Sequence, residues 1–194
     1  MALVVTHNST ADGDPLIDGD DWNANHTLTG GGTFRIPKHI ETKTLSNDTG
    51  YTFSGLNGDT DGEYFVTFDL FVNSNDERAI WLIPGGATAS DFDGKDWTEN
   101  GGVDGDGYGF LIASTTWSKQ LMRGAITIHP KTGYRRTSYG TRFAVHGDTS
   151  HVIIHSRSVW KDTATNITSL VLGIGASNTM TGVVKLYKMV DLTI

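Results

Sequence analysis

The sequence predicts an all-β protein: an antiparallel β-sandwich, jelly-roll-like, with an extended N-terminal arm. Three observations lead there. Short runs of alternating apolar and polar residues recur along the chain, enriched in β-branched and aromatic types. Clusters of Gly, Asn, Asp and Pro separate these runs at intervals of about 8 to 14 residues. Charged residues make up only 19% of the 194 positions while glycine supplies 24 of them, a balance that disfavours coiled coils and helical bundles.

The first 35 residues are polar, rich in Asp, Asn and Gly, and poor in periodic apolar positions. They read as an extended docking arm, with residues 36–194 as the sandwich domain. Such a segment buries too little apolar surface to order itself, so it is expected to gain order on a partner, by strand addition or by wrapping. Its few contact-making side chains are Leu3, Val5, Leu16, Ile17, Trp22, His26 and Leu28.

In the domain, residues 51–56 alternate and residues 57–62 form a turn of types that tolerate positive φ. Residues 63–72 then place Tyr64, Val66, Phe68, Leu70 and Val72 on one face and Phe65, Thr67, Asp69 and Phe71 on the other. The two runs are expected to form a hairpin. Further strands are expected at 79–83, 108–113, 120–129, 134–145, 151–160, 167–176 and 183–189. Trp81 is expected in the core. Gly173 and Gly175 inside an apolar strand predict a close approach or a bulge. A helical turn is expected, if anywhere, within 91–97 or 114–119.

Composition narrows the chemistry. With no cysteine, disulfides, thiolate metal sites and a Cys nucleophile are excluded. A net charge of -7 argues against nucleic acid as the main partner. Apolar runs are far shorter than the ~20 residues of a membrane-spanning helix, so no membrane insertion is expected. The first residues lack a basic, signal-like segment, and the chain is expected to assemble in a bacterial cytoplasm. No H-E-x-x-H, G-x-S-x-G or phosphate-binding loop occurs, and no enzymatic activity is expected. His151 and His155 would lie roughly 13 Å apart along a strand, too far to share an ion.

Acidic loops carry the stronger metal signal. Asn57, Asp59, Asp61 and Gly62 match the first half of a Ca²⁺-binding EF-hand loop, but Phe68 stands where the bidentate glutamate belongs, so turn chemistry is the better reading. Asp91, Asp93, Asp96, Asp104 and Asp106 are the candidate ligands if the chain takes Ca²⁺; otherwise no cofactor is expected. Trp97, Trp117 and Tyr108 lie in or beside polar loops and suit either sugar stacking or an oligomer interface. Lys131, Arg135, Arg136 and Arg142, around Tyr134 and Tyr139, form a basic cluster. It reads by default as a solvated edge strand, with an acidic neighbouring subunit or a polyanionic glycan as its functional alternatives.

The arm contains Thr6-His7-Asn8 and then G-D-D-W-N-A-N-H-T-L over residues 19–28. This resembles the opening segment of many exterior structural proteins of tailed bacteriophages. Residues 51–64, 166–170 and 182–188 resemble the β-sandwich modules of the same proteins. The resemblance implies a phage virion protein on the particle exterior, of tail-fibre, receptor-binding or head-decoration type. It also implies a homotrimer; other capsid or tail proteins are the expected partners, and a host cell-surface glycan is a further candidate partner. It carries over no catalytic residue. The expected function is therefore that of a non-enzymatic virion protein anchored by its arm. The alternative is a lectin-like carbohydrate-binding module, with or without Ca²⁺.

Overall fold

The computed structural model describes residues 4–7, 26–29, 33–73, 79–88, 91–98, 101–105, 109–114, 120–146, 150–174 and 178–193. The chain divides into two units, Met1–Ile36 with Val190–Ile194, and Pro37–Met189. In the first, β1 (Val4–His7) pairs antiparallel with β2 (His26–Thr29), setting Val5 opposite Leu28 and His7 opposite His26. The region expected to be an extended arm contains this two-stranded ladder. Leu3, Leu16, Ile17 and Trp22 lie outside the described residues.

The remaining strands are β3 (Thr33–Asp48), β4 (Gly50–Ser54), β5 (Glu63–Asn73), β6 (Ala79–Pro84), β7 (Phe92–Thr98), β8 (Gly101–Gly105) and β9 (Phe110–Ser114). They continue with β10 (Gln120–His129), β11 (Arg136–His146), β12 (Ser150–Trp160), β13 (Ser169–Ile174) and β14 (Thr179–Thr193). A single helical turn, α1 (Gly58–Asp61), precedes β5. The larger sheet runs β3-β14-β5-β10-β11-β12-β7-β8 and the smaller β4-β13-β6-β9. The registered pairs are antiparallel, as the alternation predicts.

The inner faces of the two sheets share one core. The smaller sheet contributes Phe53, Ile80, Leu82, Phe110, Leu170 and Leu172. The larger contributes Leu45, Met122, Ile126, Ile128, Val184 and Leu186, together with the predicted face of β5, Tyr64 to Val72, which is no more than 5% exposed. Each of these side chains contributes about 1.5–3 kcal/mol by leaving water.

Several expectations need correcting. Segments 51–56 and 63–72 are not a hairpin: β4 pairs with β13, and β5 lies between β14 and β10. The turn residues between them take the chain from one sheet to the other. The amides of Leu56 and Gly58 donate to the carbonyls of Thr168 and Ile167, each at 3.0 Å, which holds this crossing to the β12–β13 connection. Trp81 is only half-buried, because Ile80 and Leu82 take the inward positions of β6. Its indole nitrogen would stand 3.0 Å from a Cβ on Gly173, so the close approach predicted there is real. The register shift falls instead on the β6–β9 ladder, where Ile80 and Trp81 pair with Ala113 and Leu111 and Ile112 of β9 is the extra residue. Residues 92–98 are strand rather than helical turn.

The basic cluster is corrected at two of its four residues, since Lys131 and Arg135 are exposed as expected. Arg136 and Arg142 are 0% and 2% exposed, on the inward face of β11. That strand is not an edge, since β10 and β12 flank it on both sides. Ser138, Ser156 and Ser158 are buried beside them. Arg136 lies 4.2 Å over the Trp160 ring and donates from Nη2 to the Thr165 carbonyl.

One end of the domain is tied by carboxylates. Asp61 accepts from the Lys188 ammonium at 2.7 Å, the Tyr64 hydroxyl at 2.8 Å and the Asn57 amide at 2.9 Å. Asp59 accepts from the hydroxyl and the amide of Thr132 at 2.7 and 2.9 Å. Asp162 accepts from the amides of Ala164 and Thr165 at 2.7 and 3.1 Å. Burial pushes the Asp61 carboxyl up, but its donors and the Lys188 charge outweigh this and hold it below the usual range. Asp59 is held low first by the Thr132 hydroxyl, and Asp162 by Thr165 and then the Ala164 amide. Burial and then Asp61 push the Tyr64 hydroxyl up.

Depressed carboxylates stabilise the fold above the unfolded value of about 3.9 and lose that contribution as pH falls through the folded value. Stability should therefore drop steeply below about pH 4. Urea midpoints measured from neutral to acidic pH check this. Asp61→Asn should be less stable than the parent at neutral pH, and the two curves should converge in acid.

Candidate binding surface

Alternation along a strand sends every second residue away from the core, and a sandwich ordinarily places polar residues there. The outward face of the larger sheet departs from that rule. On β5, Phe71 is 43% exposed, and on β10, Leu121 is 37% exposed. On β11 and β12, Phe143 and Ile153 are 42% and 38% exposed.

Register assembles them. Phe71 pairs with Leu121 and with Thr181 of β14, and Leu121 pairs with Val145. One step along, Val183, Asp69, Arg123, Phe143 and Ile153 stand side by side across five strands. The Asp69 carboxylate accepts from the Arg123 guanidinium at 2.9 Å in the middle of this row, with both side chains half-exposed. The next row is Lys185, Thr67, Ala125, Thr141 and His155, in which Thr141 and His155 hydrogen-bond at 3.0 Å. Beyond it lie Tyr187, Phe65, Thr127, Tyr139 and Arg157; Tyr187 stacks obliquely on Phe65, and Tyr139 is 56% exposed.

The face therefore has bulky rows on either side of one whose three central residues, Thr67, Ala125 and Thr141, are small. Over β14, β5 and β10 it dips into an open depression of about 520 Å³, bordered by Phe71, Leu121, Val183, Thr67 and Lys185. It offers apolar area, one ion pair at the centre and hydroxyls along a shallow floor.

The other sequence candidates are distributed differently. Asp91 accepts from the Thr88 amide and hydroxyl at 2.7 and 2.9 Å, closing the turn before β7. Asp93 pairs with Lys161 at 2.9 Å. Asp96 and Asp104 lie on the β7–β8 ladder, opposite Val103 and Lys95 respectively, and Asp106 lies outside the described residues. Among the described residues no group of three or more potential ligands converges on a metal position. Trp97 is the ladder partner of His155 and Gly102. Trp117 and Tyr108 lie outside the described residues.

Sequence reasoning noted Phe65 and Phe71 on the second face of β5 but attached no function to them. The available signal was apolar bulk on both faces of one strand, the pattern of a strand covered on both sides. Among the described residues no helix is long and apolar enough to cross a membrane. Compared with protein-family models, with curated proteins and with solved structures, the chain matches none.

Proposed function

We propose that this chain is a non-enzymatic structural protein of the exterior of a tailed bacteriophage, of tail-fibre, receptor-binding or head-decoration type, that works by binding. The observation that carries this reading is the outward face of the larger sheet, where the paired Phe71 and Leu121 and the paired Phe143 and Ile153 lie exposed beside one ion pair. Apolar area of this kind on a sheet surface marks an interaction site. The resemblance of residues 19–28 to the opening of phage exterior proteins supplies the setting, with residues 1–35 docking the chain on capsid or tail partners. Repeated weak contacts on a particle raise apparent affinity by about 10² to 10⁴ without any new contact.

Gold-labelled antibodies against the chain, imaged on purified particles, test the reading. Label on the head or tail exterior is expected, and its loss when residues 1–30 are removed would support the docking role. Label confined to free protein in the lysate would sink it. The lectin-like alternative, expected from the sequence on Trp97, Trp117 and Tyr108, draws here on Tyr139 and Tyr134, which are 56% and 70% exposed and offer ring faces to a sugar. Glycan-array binding that Tyr139→Ala abolishes would favour it.

A further inference from the structure

We infer that a second copy of this chain covers the outward face of the larger sheet, like face on like face across a two-fold axis. This rests on the reading of the chain as a binding scaffold and names the partner of that surface. It makes the assembly even-numbered, a dimer or two trimers joined face to face.

Size is the first argument. Five strands, β14, β5, β10, β11 and β12, carry the face. At about 4.8 Å between strands and about 3.3 Å per residue, nine residues of each give a patch of roughly 700 Å². A stable complex needs about 800 Å² from each partner, and side-chain relief raises the accessible area of the patch above its flat projection. One copy of the same face is thus the right size to cover it.

Charge is the second argument. A two-fold contact brings a surface against itself, so a patch of one sign repels its own copy. This face carries both signs: Asp69 and Arg123 are in contact at 2.9 Å, with Lys185 one row and Arg157 two rows away. A two-fold axis at this pair sets the Asp69 of one copy against the Arg123 of the other.

Side-chain type separates this occupant from others. Phe71, Phe143 and Tyr139 present rings on this face, but Leu121 and Ile153 beside them offer a sugar neither a flat ring nor a hydrogen-bonding group. A lipid surface would have to receive the Asp69–Arg123 pair at the centre of the patch, which a protein partner can match with polar groups. The small row of Thr67, Ala125 and Thr141 lets the bulky rows of a facing copy settle between its neighbours.

Sedimentation of the full chain over a range of concentrations tests this. The expected species at micromolar concentration has twice the mass of 21.0 kDa. Phe71→Lys and Leu121→Lys should each weaken the dimer by at least tenfold, and both positions are exposed enough to keep the fold, which circular dichroism checks. Val171→Lys, exposed on the outward face of the smaller sheet, should leave the dimer intact. Hydroxyl-radical footprinting should show Phe71 and Leu121 growing less reactive as concentration rises.

Four results would overturn the inference. They are a monomer at every concentration, an odd-numbered assembly, a dimer indifferent to both lysine variants, and a monomer whose Phe71 and Leu121 become protected only on adding glycan. Antibody labelling of particles is read separately, so a monomer found on the particle would end the dimer while leaving the structural role standing.

Discussion

Gly182→Ala is expected to cost about 3 kcal/mol and to lower the melting temperature by roughly 10 °C. Gly182 sits in β14, between β3 and β5, opposite Leu70. Its φ is +139°, a backbone conformation that side chains other than glycine's rarely adopt. A Cβ there would land 2.1 Å from the Asp69 carbonyl oxygen and 3.1 Å from the Leu70 Cα. Both obstacles are backbone atoms of a central strand, so neither can swing aside as a flexible side chain would. The added methyl must therefore shift β14, unpair part of its ladder, or strain β5. Asp69 also holds the ion pair of the outward face, so the same variant should disturb that surface. Thermal melting followed by circular dichroism measures the loss; a change below about 1 kcal/mol would mean that the strand absorbs the methyl by relaxing.

Arg136→Ala should cost about as much, near 3 kcal/mol, while Arg136→Met should stay within about 1 kcal/mol of the parent. The guanidinium is fully buried, and its charge finds little compensation. Asp162 stands 3.9 Å away, and Nε and Nη1 have no hydrogen-bond partner among the described residues. Burial accordingly pulls the Arg136 pKa down, against the charges of Asp162 and Asp59. What the side chain does supply is volume: its stem fills the space beside Trp160, and its plane covers the ring. Alanine empties that space. Methionine fills it and also removes a poorly solvated charge, at the cost of one bond to the Thr165 carbonyl. Denaturant midpoints of the two variants decide between packing and charge. If methionine proved as damaging as alanine, the charge itself would be holding the 160–167 segment in place.

How much of this was legible beforehand varies strand by strand. The predicted segments 63–72, 120–129 and 151–160 match β5, β10 and β12 to within a residue at either end, because each is a central strand with strict alternation against a buried core. Strand β3 was missed. It contains Pro37 and the polar run Lys38 to Thr44, a composition that an edge strand tolerates because one of its sides makes no ladder. Strands β7 and β8 were missed for a related reason: Gly- and Asp-rich segments have no intrinsic strand preference, and here they are recruited by pairing with β12. The turn at 57–62 was recognised, but turn residues specify a change of direction and not which sheet receives the next strand. Arginine spacing in β11 was visible too, yet a charged residue reads as solvated until its neighbours are known.

The residue order alone settled the all-β class, the antiparallel habit and which side of β5 turns to the core, because a period of two is a local property that any strand carries with it. Which strands became neighbours was decided only in three dimensions. Pairing joins segments far apart in the chain, and only then do Phe71, Leu121, Phe143 and Ile153 become one surface and two arginines come to lie inside the sandwich.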